Sequence, residues 1–367
     1  MLTAVGRTGA DPLRGALLGC GSIAPFHLRA WAQIEGVSIV ALANRTVAKA
    51  EALAEEFSIA PGHVYGDYHK LLDNEELDFV DIATAPHIHR QQVVAAAEHG
   101  VHVLCQKPFA TSMEEARAMI AACRERSVRC VVNENWRWRS WYRELKQMLD
   151  QGTVGKPRYA RFCHRSDGLL PRPDGSLPAL LRVQPYTADM PHLILYEWGI
   201  HLIDVMRFLF GEVESVYACT GRQSPFVKGE DSALVTLRFH AGMIGIVDIS
   251  WATPISDDER LVRGNLDPFV VEGDRGTIEM DPFHEDLFII TTADGVQRRP
   301  ARPLSTPAEA YQASYVSAQN HFARCLLSGE PAENEATDNM GTLGAVFAAY
   351  ESAVHNQVVC LGDERSY

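Results

Sequence analysis

Two short segments carry ionisable side chains at spacings suited to proton transfer. Lys107 follows a predicted buried strand and precedes Pro108, which holds the local chain extended. A lysine in that position polarises a substrate oxygen or relays its proton. Glu197 and His201 are one helical turn apart, so on a helix they share a face, where a histidine suits proton exchange with an alcohol and the glutamate orients its ring. The sequence therefore predicts Lys107, His201 and Glu197 as catalytic residues.

A Gly-x-Gly-x-x-Ala turn follows the first apolar strand, which is predicted over Leu13–Leu18. Gly19 permits the tight turn, Gly21 lets the backbone approach phosphates, and Ala24 lets helix and strand pack closely. The N–H groups of such a turn and the positive end of the following helix hold an anion. The residues predicted to bind a dinucleotide pyrophosphate are Gly19, Gly21, Ser22 and Ile23.

The end of the second predicted strand bears on the choice between the two nicotinamide dinucleotides. An acidic residue at this point binds the ribose 2′-hydroxyl of NAD. Here the chain offers the amide of Asn44 and the guanidinium of Arg45 instead. A guanidinium accommodates a 2′-phosphate with two hydrogen bonds, although an arginine beside the adenine ring is also compatible with NAD. The sequence therefore favours NADP(H) over NAD(H), with Asn44 and Arg45 as cofactor contacts.

Strands and helices alternate over residues 13–135, which predicts a parallel, doubly wound sheet of the Rossmann type. After Trp141 the pattern changes to a helix from about Leu195 to Phe210 and then several strands in close succession, which predict a mostly antiparallel open sheet. The predicted fold class is α/β, with a Rossmann domain over residues 1–135 and an α+β domain over residues 136–367. The last helix, at about 338–355, is expected to pack back on the Rossmann domain.

The composition excludes several classes of partner. The net charge of −13 argues against a nucleic acid or an anionic membrane surface, and no apolar run approaches the length of a membrane span. The eight cysteines form no Cys-x-x-Cys pair, which favours a reducing cytoplasm. His87 and His89 form a His-x-His pair without a second group of ligands, so we predict no metal site.

Five motifs in register resemble one known family, the glucose–fructose oxidoreductase, inositol dehydrogenase and rhizopine-catabolism (Gfo/Idh/MocA) group. The glycine turn is the first. Thr84–His89 is similar to the family's Thr-Pro-x-x-x-His segment, and Cys105–Ala110 to its Glu-Lys-Pro motif. Val132–Trp138 resembles its Glu-Asn-x-Arg-Phe segment, and Glu197–Asp204 its Asp-x-x-x-His-x-x-Asp helix. The resemblance covers nearly the whole chain.

The resemblance implies hydride transfer between NAD(P) and a secondary alcohol or ketone of a sugar, sugar derivative or cyclitol, with Lys107 and His201 in proton transfer. It also implies a homodimer or homotetramer assembled through the sheet of the second domain. Asp204, on the same helix, is expected to be a structural partner. Further cofactor contacts are expected at Thr84, His89 and Gln106. Substrate contacts are expected at Asn135, Trp136 and Arg137.

Two positions depart from the family pattern. Gln106 replaces the glutamate before the lysine, which removes an anion that would stabilise protonated Lys107. Glu197 stands where the family usually has aspartate. Two alternatives stay open: a glycosidase of the same fold that retains its NAD, and a cofactor-binding sensor without turnover. The proline-rich segment 171–191 is interpreted as a lid or as an arm that reaches a neighbouring subunit.

Overall fold

The computed structural model describes residues 12–172, 174–254, 268–281, 287–301 and 306–362. The chain folds into two compact units. The first contains the chain up to Asn135 together with Gln312–Met340. The second contains Trp136–Tyr311 together with the residues from Gly341 onward.

The first unit is built on a parallel sheet of six strands, in the order β3-β2-β1-β4-β5-β6. This order confirms the predicted doubly wound Rossmann sheet. The strand β3 has only two residues and is too short to be predicted from periodicity. The strands are β1 (Leu13–Leu18), β2 (Val37–Ala43), β3 (Val64–Tyr65), β4 (Phe79–Ile82), β5 (His102–Gln106) and β6 (Cys130–Asn133). The helices between them are α1 (Ala24–Trp31), α2 (Val47–Glu56), α3 (Tyr68–Asn74), α4 (Pro86–Glu98) and α5 (Met113–Glu125).

One face of this sheet changes from apolar to polar along the strands. Phe79, Leu104 and Val131, on three neighbouring strands, form a buried cluster with Trp31 of α1 and Phe322. Because side chains alternate along a strand, the residues two positions further on lie on the same face. These residues are polar: Asp81, Gln106 and Asn133.

The long helix α9 (Pro307–Ser328) contributes to the first unit from Gln312 onward. Its buried Phe322 and Leu326 belong to the same apolar cluster as Phe79, which explains why a segment so late in the chain joins this unit. From the sequence, this segment was predicted to belong to the second domain, over residues 136–367.

The next helix, α10 (Ala336–His355), belongs to the second unit from Gly341 onward. There the Thr342 hydroxyl donates to Asp204, and the Ser352 hydroxyl accepts from the main-chain N–H of Ala218. Packing of this last helix back on the Rossmann domain stays a prediction.

The second unit is built on a nine-stranded sheet in the order β14-β13-β12-β11-β7-β10-β9-β8-β15. Among the described strands of this sheet, only β7 and β10 pair in parallel, so the prediction of a mostly antiparallel sheet is confirmed. The strands are β7 (Pro157–Arg165), β8 (Val213–Gly221), β9 (Ser232–Phe239), β10 (Ile244–Ser250), β11 (Phe269–Gly273), β12 (Gly276–Asp281), β13 (Leu287–Thr292), β14 (Gly295–Pro300) and β15 (Val359–Cys360). The helices are α6 (Ser140–Asp150), α7 (Ala179–Val183) and α8 (Ile200–Phe210).

The helix predicted from about Leu195 to Phe210 is not one regular α-helix. Residues Leu195–Gly199 form a π-helical turn, and only α8 after it is α-helical. Within the described residues, no helix is both long enough and apolar enough to cross a membrane.

Candidate active site

The glycine turn has the geometry of a dinucleotide cradle. Gly19 has a φ of +102°, and a Cβ placed on it would lie 2.7 Å from Thr84 Cγ2 and 2.8 Å from the Ala83 carbonyl oxygen. Only glycine fits there, because both the conformation and the close approach of β4 exclude a side chain. A Cβ on Gly21 would meet nothing within 4 Å, so its backbone has open space on that side. The α1 helix begins at Ala24, and Ser22 before it is exposed. The residues present therefore fit a bound pyrophosphate.

Asn44, at the end of β2, is tied to the glycine turn. Its Oδ1 accepts a hydrogen bond from the main-chain N–H of Cys20 at 3.0 Å, and its Nδ2 donates to the Thr46 carbonyl at 2.8 Å. The Asn44 side chain therefore braces the turn, while the neighbouring Arg45 is exposed. Burial raises the pKa of the Cys20 thiol to about 12, which keeps this thiol protonated in the cradle.

His89 is enclosed. Its Nε2 lies 3.0 Å from the Thr84 carbonyl oxygen and its Nδ1 3.1 Å from that of Phe109, and the side chain is fully buried. Burial lowers its pKa. The ring lies between two loops at the carboxyl edge of the sheet, and a direct cofactor contact for His89 stays a prediction. Thr84 is half-buried and donates through its hydroxyl to Gln92 Oε1 at 2.6 Å.

Lys107 lies at the end of β5 and is half-buried. Its main-chain N–H donates to the Gln106 side-chain oxygen at 2.7 Å. The Gln106 side chain is buried, and its Nε2 lies 2.9 Å from Nε2 of His27. The other ring nitrogen of His27 lies 2.8 Å from Asp81 Oδ2. Gln106 is thus engaged inside the protein.

In the second unit, His201 lies against Trp136. The two rings stack at 4.6 Å between centroids with an interplanar angle of 6°, and His201 is 5% exposed. Trp198 meets Trp136 edge-on at 5.0 Å between centroids, and its ring centroid also lies 4.4 Å from that of His164. The Arg139 guanidinium lies 3.5 Å from the Trp136 ring centroid. This aromatic group holds the His201 ring in a fixed plane. Trp136, which was predicted to contact substrate, supports the predicted catalytic histidine.

Glu197 lies on the π-helical turn Leu195–Gly199 just before α8, and both Glu197 and His201 are buried. A π turn of this kind is common at functional sites. The simple four-residue helical spacing assumed from the sequence therefore does not describe the pair. Desolvation, and after it the charge of Glu197, raises the pKa of Tyr186, so this tyrosine stands in the field of the carboxylate. Tyr186 lies in segment 171–191.

Glu230 anchors the beginning of this turn, and it was not among the residues predicted from the sequence. Its Oε1 accepts hydrogen bonds from the main-chain N–H groups of Leu193 and Leu195 at 3.1 Å each. It also accepts from the Tyr350 hydroxyl at 2.5 Å, and this hydroxyl in turn accepts from the Tyr196 N–H. Nothing in the local sequence around Glu230 signals this role, because its partners come from distant segments.

Two residues predicted to bind substrate are engaged in buried contacts within their own units. Arg137 forms a two-bond ion pair with Asp204, at 2.7 Å from Nε and 2.6 Å from Nη2. This pair gives Asp204 the structural role expected for it. Asn135 donates to the Ser314 hydroxyl at 2.7 Å and is 1% exposed. These contacts fix the orientation of both side chains, and direct substrate contact by Arg137 and Asn135 stays a prediction.

Metal ligands are not assembled in the part of the chain that the structure describes. No group of three or more His, Cys, Asp or Glu side chains is placed there to hold a metal ion. His87, the other member of the His-x-His pair, is exposed on α4.

Comparison with known proteins agrees with both units. A family model for the oxidoreductase family with an NAD-binding Rossmann fold matches residues 13–134, and a model for the GFO/IDH/MocA C-terminal domain matches residues 142–279. The chain is 36% identical to D-apiose dehydrogenase of Paraburkholderia graminis, over 94% of this chain and 89% of that protein. It is 34% identical to D-apiose dehydrogenase of Rhizobium rhizogenes, over 95% of this chain and 98% of that protein.

A solved structure is similarly close. An oxidoreductase from Agrobacterium radiobacter, in complex with NAD⁺, L-tartaric acid and magnesium, matches with a TM-score of 0.87 at 33% identity, covering 95% of this chain and 98% of that one. The two family models together span most of the sequence. The chain therefore belongs to the Gfo/Idh/MocA family of oxidoreductases, with an NAD-binding Rossmann fold.

Proposed function

We propose that this oxidoreductase transfers a hydride between a nicotinamide dinucleotide and a secondary alcohol or ketone of a sugar, sugar derivative or cyclitol. The observation that carries the proposal is the glycine turn, where Gly19 admits no side chain and Gly21 faces open space. The D-apiose dehydrogenases among its relatives support a small carbohydrate as substrate. When bound, the nicotinamide supplies the acceptor or donor of the hydride.

The protein's own residues supply the proton chemistry in this proposal. Lys107, half-buried at the carboxyl end of β5, polarises the reacting oxygen of the sugar. His201 exchanges the proton of the hydroxyl group, since an imidazole changes its charge near neutral pH. Its stacking on Trp136 fixes the plane of the ring, and Glu197 adds a carboxylate from the π-helical turn that precedes α8.

Cofactor preference rests on Arg45. The Asn44 side chain is occupied by the glycine turn and by Thr46, which leaves the exposed Arg45 guanidinium as the group suited to a 2′-phosphate. We therefore keep the prediction that NADP(H) is preferred. The solved relative from Agrobacterium radiobacter holds NAD⁺. Arg45→Ala should weaken NADPH binding and leave NADH binding unchanged. Tighter NADH binding by the wild type, with no effect of Arg45→Ala on NADPH, would contradict the prediction.

The function is tested by following absorbance of the reduced nicotinamide with D-apiose, inositols and other sugars, using NAD⁺ and NADP⁺ in parallel. We expect turnover of at least one sugar or cyclitol. His201→Ala and Lys107→Met should each lower kcat by a factor of about 10²–10⁴, the usual contribution of a positioned proton donor or acceptor. Binding of the reduced cofactor should survive His201→Ala.

Matched controls separate chemistry from folding. His240 is exposed in the turn between β9 and β10, and Lys70 is exposed on α3, so His240→Ala and Lys70→Met should leave kcat unchanged. Equal rates for His201→Ala and the wild type would refute the role of this histidine. Sugar cleavage without net change of the cofactor would instead indicate the retaining-glycosidase alternative, and binding without any single-turnover hydride transfer would indicate the sensor.

We also propose that the chain forms a homodimer or homotetramer through the outward face of the nine-stranded sheet. Leu234 on β9 and Ile244 on β10 are apolar side chains that are 45% and 40% exposed on this sheet. Light scattering should show an assembly that Leu234→Arg disrupts. Val354→Arg, at an exposed apolar position on α10, is the control that should leave the assembly intact. A monomeric wild type would contradict the proposal.

A further inference from the structure

We propose that His27, oriented by Asp81, is a positioning residue for Lys107 and acts through the side chain of Gln106. All four residues lie in the first unit and are joined by one continuous path of hydrogen bonds. The inference rests on the proposed role of Lys107, but the state of the path itself can be measured without any substrate.

The donors and acceptors along this path are fixed by elimination. A main-chain N–H only donates, so the Gln106 atom 2.7 Å from the Lys107 nitrogen is the accepting oxygen. The other end of the amide is then the NH₂ group, which donates to Nε2 of His27 over 2.9 Å. An Nε2 that accepts carries no hydrogen. The ring hydrogen of His27 must therefore be on Nδ1.

The other side of the ring requires the same tautomer. Nδ1 of His27 lies 2.8 Å from Oδ2 of Asp81, and an ionised carboxylate only accepts hydrogen bonds. Both residues are fully buried, so no solvent competes for these atoms. The same oxygen also accepts from Trp31 Nε1 at 2.7 Å and from Gln319 Nε2 at 3.2 Å. Three donors, from His27, Trp31 and Gln319, thus converge on one carboxylate oxygen.

This arrangement explains how glutamine serves in the place of the glutamate that the family motif carries. A carboxylate at position 106 would face the unprotonated Nε2 of His27, and two acceptors 2.9 Å apart repel each other. A neutral amide donates to the ring and still offers an oxygen to the Lys107 N–H. The anion of the network is Asp81, two residues past Phe79 on β4, and not the residue beside Lys107.

The hydrogen-bond path fixes the position of the Lys107 main-chain nitrogen. Because the Gln106 amide bonds His27 at one end and the Lys107 main chain at the other, a turned or displaced imidazole would release the main-chain N–H of Lys107. A shift of about 1 Å in a catalytic group costs about 10²-fold in rate. His27 and Asp81 act on the reaction through this placement and need no contact with the sugar.

The first test reads the tautomer directly in the intact protein. Nitrogen-15 labelling of histidine and two-bond proton–nitrogen correlation spectra distinguish Nδ1–H from Nε2–H rings, and loss of one signal in His27→Phe assigns the residue. We expect Nδ1–H with an unprotonated Nε2 at neutral pH. An Nε2–H ring, or a ring protonated on both nitrogens, would overturn the inference whether or not any sugar is turned over.

The second test uses variants of Gln106 with a matched control. Gln106→Leu removes both hydrogen bonds and should lower kcat by a factor of about 10–100, with KM for the cofactor within about threefold of the wild-type value. Gln106→Glu should keep most of the kcat that Gln106→Leu loses. Its spectrum should show His27 protonated on both nitrogens, because the new carboxylate needs a donor. Trp31→Phe removes a different donor from Asp81 and should leave kcat within about twofold.

The outcomes separate the two proposals. Wild-type kcat in a folded Gln106→Leu variant, or equal losses of kcat in Gln106→Leu and Trp31→Phe, would refute the positioning role while the proposed function stands. If Gln106→Leu does not fold, the Gln106→Glu variant tests the positioning role instead, because an unprotonated Nε2 of His27 in that variant would contradict the network. Failure of the wild type to oxidise any sugar would count against the proposed function, and the tautomer would still test the path.

Discussion

Replacing Asn44 with alanine removes the side chain that joins the end of β2 to the glycine turn. The main-chain N–H of Cys20, which is a buried residue, then loses the acceptor that lies 3.0 Å away. The main-chain bond from the Asn44 nitrogen to the Tyr65 carbonyl remains, so the end of β2 keeps its position. The expected effect is a looser turn in a folded protein, which the dinucleotide must order when it binds.

The size of the effect follows from that single N–H group. An unsatisfied buried donor costs about 1–3 kcal/mol, and because the side chain of Asn44 is half-buried, water reaches the group and the cost falls to about 1–2 kcal/mol. With about 1.4 kcal/mol for each factor of ten, Kd for the cofactor should rise by about 5- to 30-fold. The free energy of unfolding should fall by no more than the same amount.

Fluorescence titration with NADH and NADPH measures the change, and urea unfolding checks stability. Asn44→Asp is the matched control, because a carboxylate keeps an acceptor for the Cys20 N–H. It also places an acidic residue where one would bind a ribose 2′-hydroxyl, so it should bind NADH well and NADPH poorly. Equal Kd values for Asn44→Ala and the wild type would show that the turn does not depend on Asn44, which would refute the reasoning.

Three further changes have expected outcomes. Gly19→Ala should weaken NADH binding more than about tenfold in the same titration, because its Cβ would meet the Ala83 carbonyl 2.8 Å away; wild-type affinity would contradict this. Phe322→Ala should lower the free energy of unfolding in urea by about 3–5 kcal/mol, since Phe322 is fully buried. Burial and the Glu230 carboxylate raise the pKa of Tyr350 above its unfolded value of about 10. The protonated hydroxyl therefore contributes fully to the free energy of unfolding below about pH 10, and this contribution declines at higher pH. Tyr350→Phe should flatten that alkaline decline, and an unchanged slope would contradict the assignment.

The Rossmann half of the fold was predictable because its signals are local. Buried parallel strands appear as apolar runs, and the predicted bounds of β1, Leu13–Leu18, coincide with the observed ones. The Ser112 hydroxyl caps α5 by accepting the Glu115 N–H at 3.1 Å, in a Ser-x-x-Glu pattern that is local in the sequence. The attachment of α9 to the first unit had no such signal, because it depends on packing between residues more than two hundred positions apart.

The candidate site was predicted unevenly for the same reason. Gly19 was identified because a steric requirement for glycine is visible in a motif. Arg137 and Asn135 were predicted to contact substrate because their neighbours in sequence resemble a family segment. Their protein partners Asp204 and Ser314 come from other parts of the chain, so one sequence does not reveal these contacts.

His27 and Asp81 had a signal that was available in the sequence. A buried parallel strand is expected to be apolar throughout, and Asp81 interrupts the run Phe79–Ile82. A carboxylate in that position is costly unless donors surround it, so its presence predicts buried partners such as the His27 ring. The alternation of side chains then extends the argument, because Gln106 and Asn133 occupy the same face one and two strands away. The apolar residues of that face pack against α9 and stabilise the fold. The polar residues two positions further along the same three strands include Gln106, which bonds the main chain of Lys107.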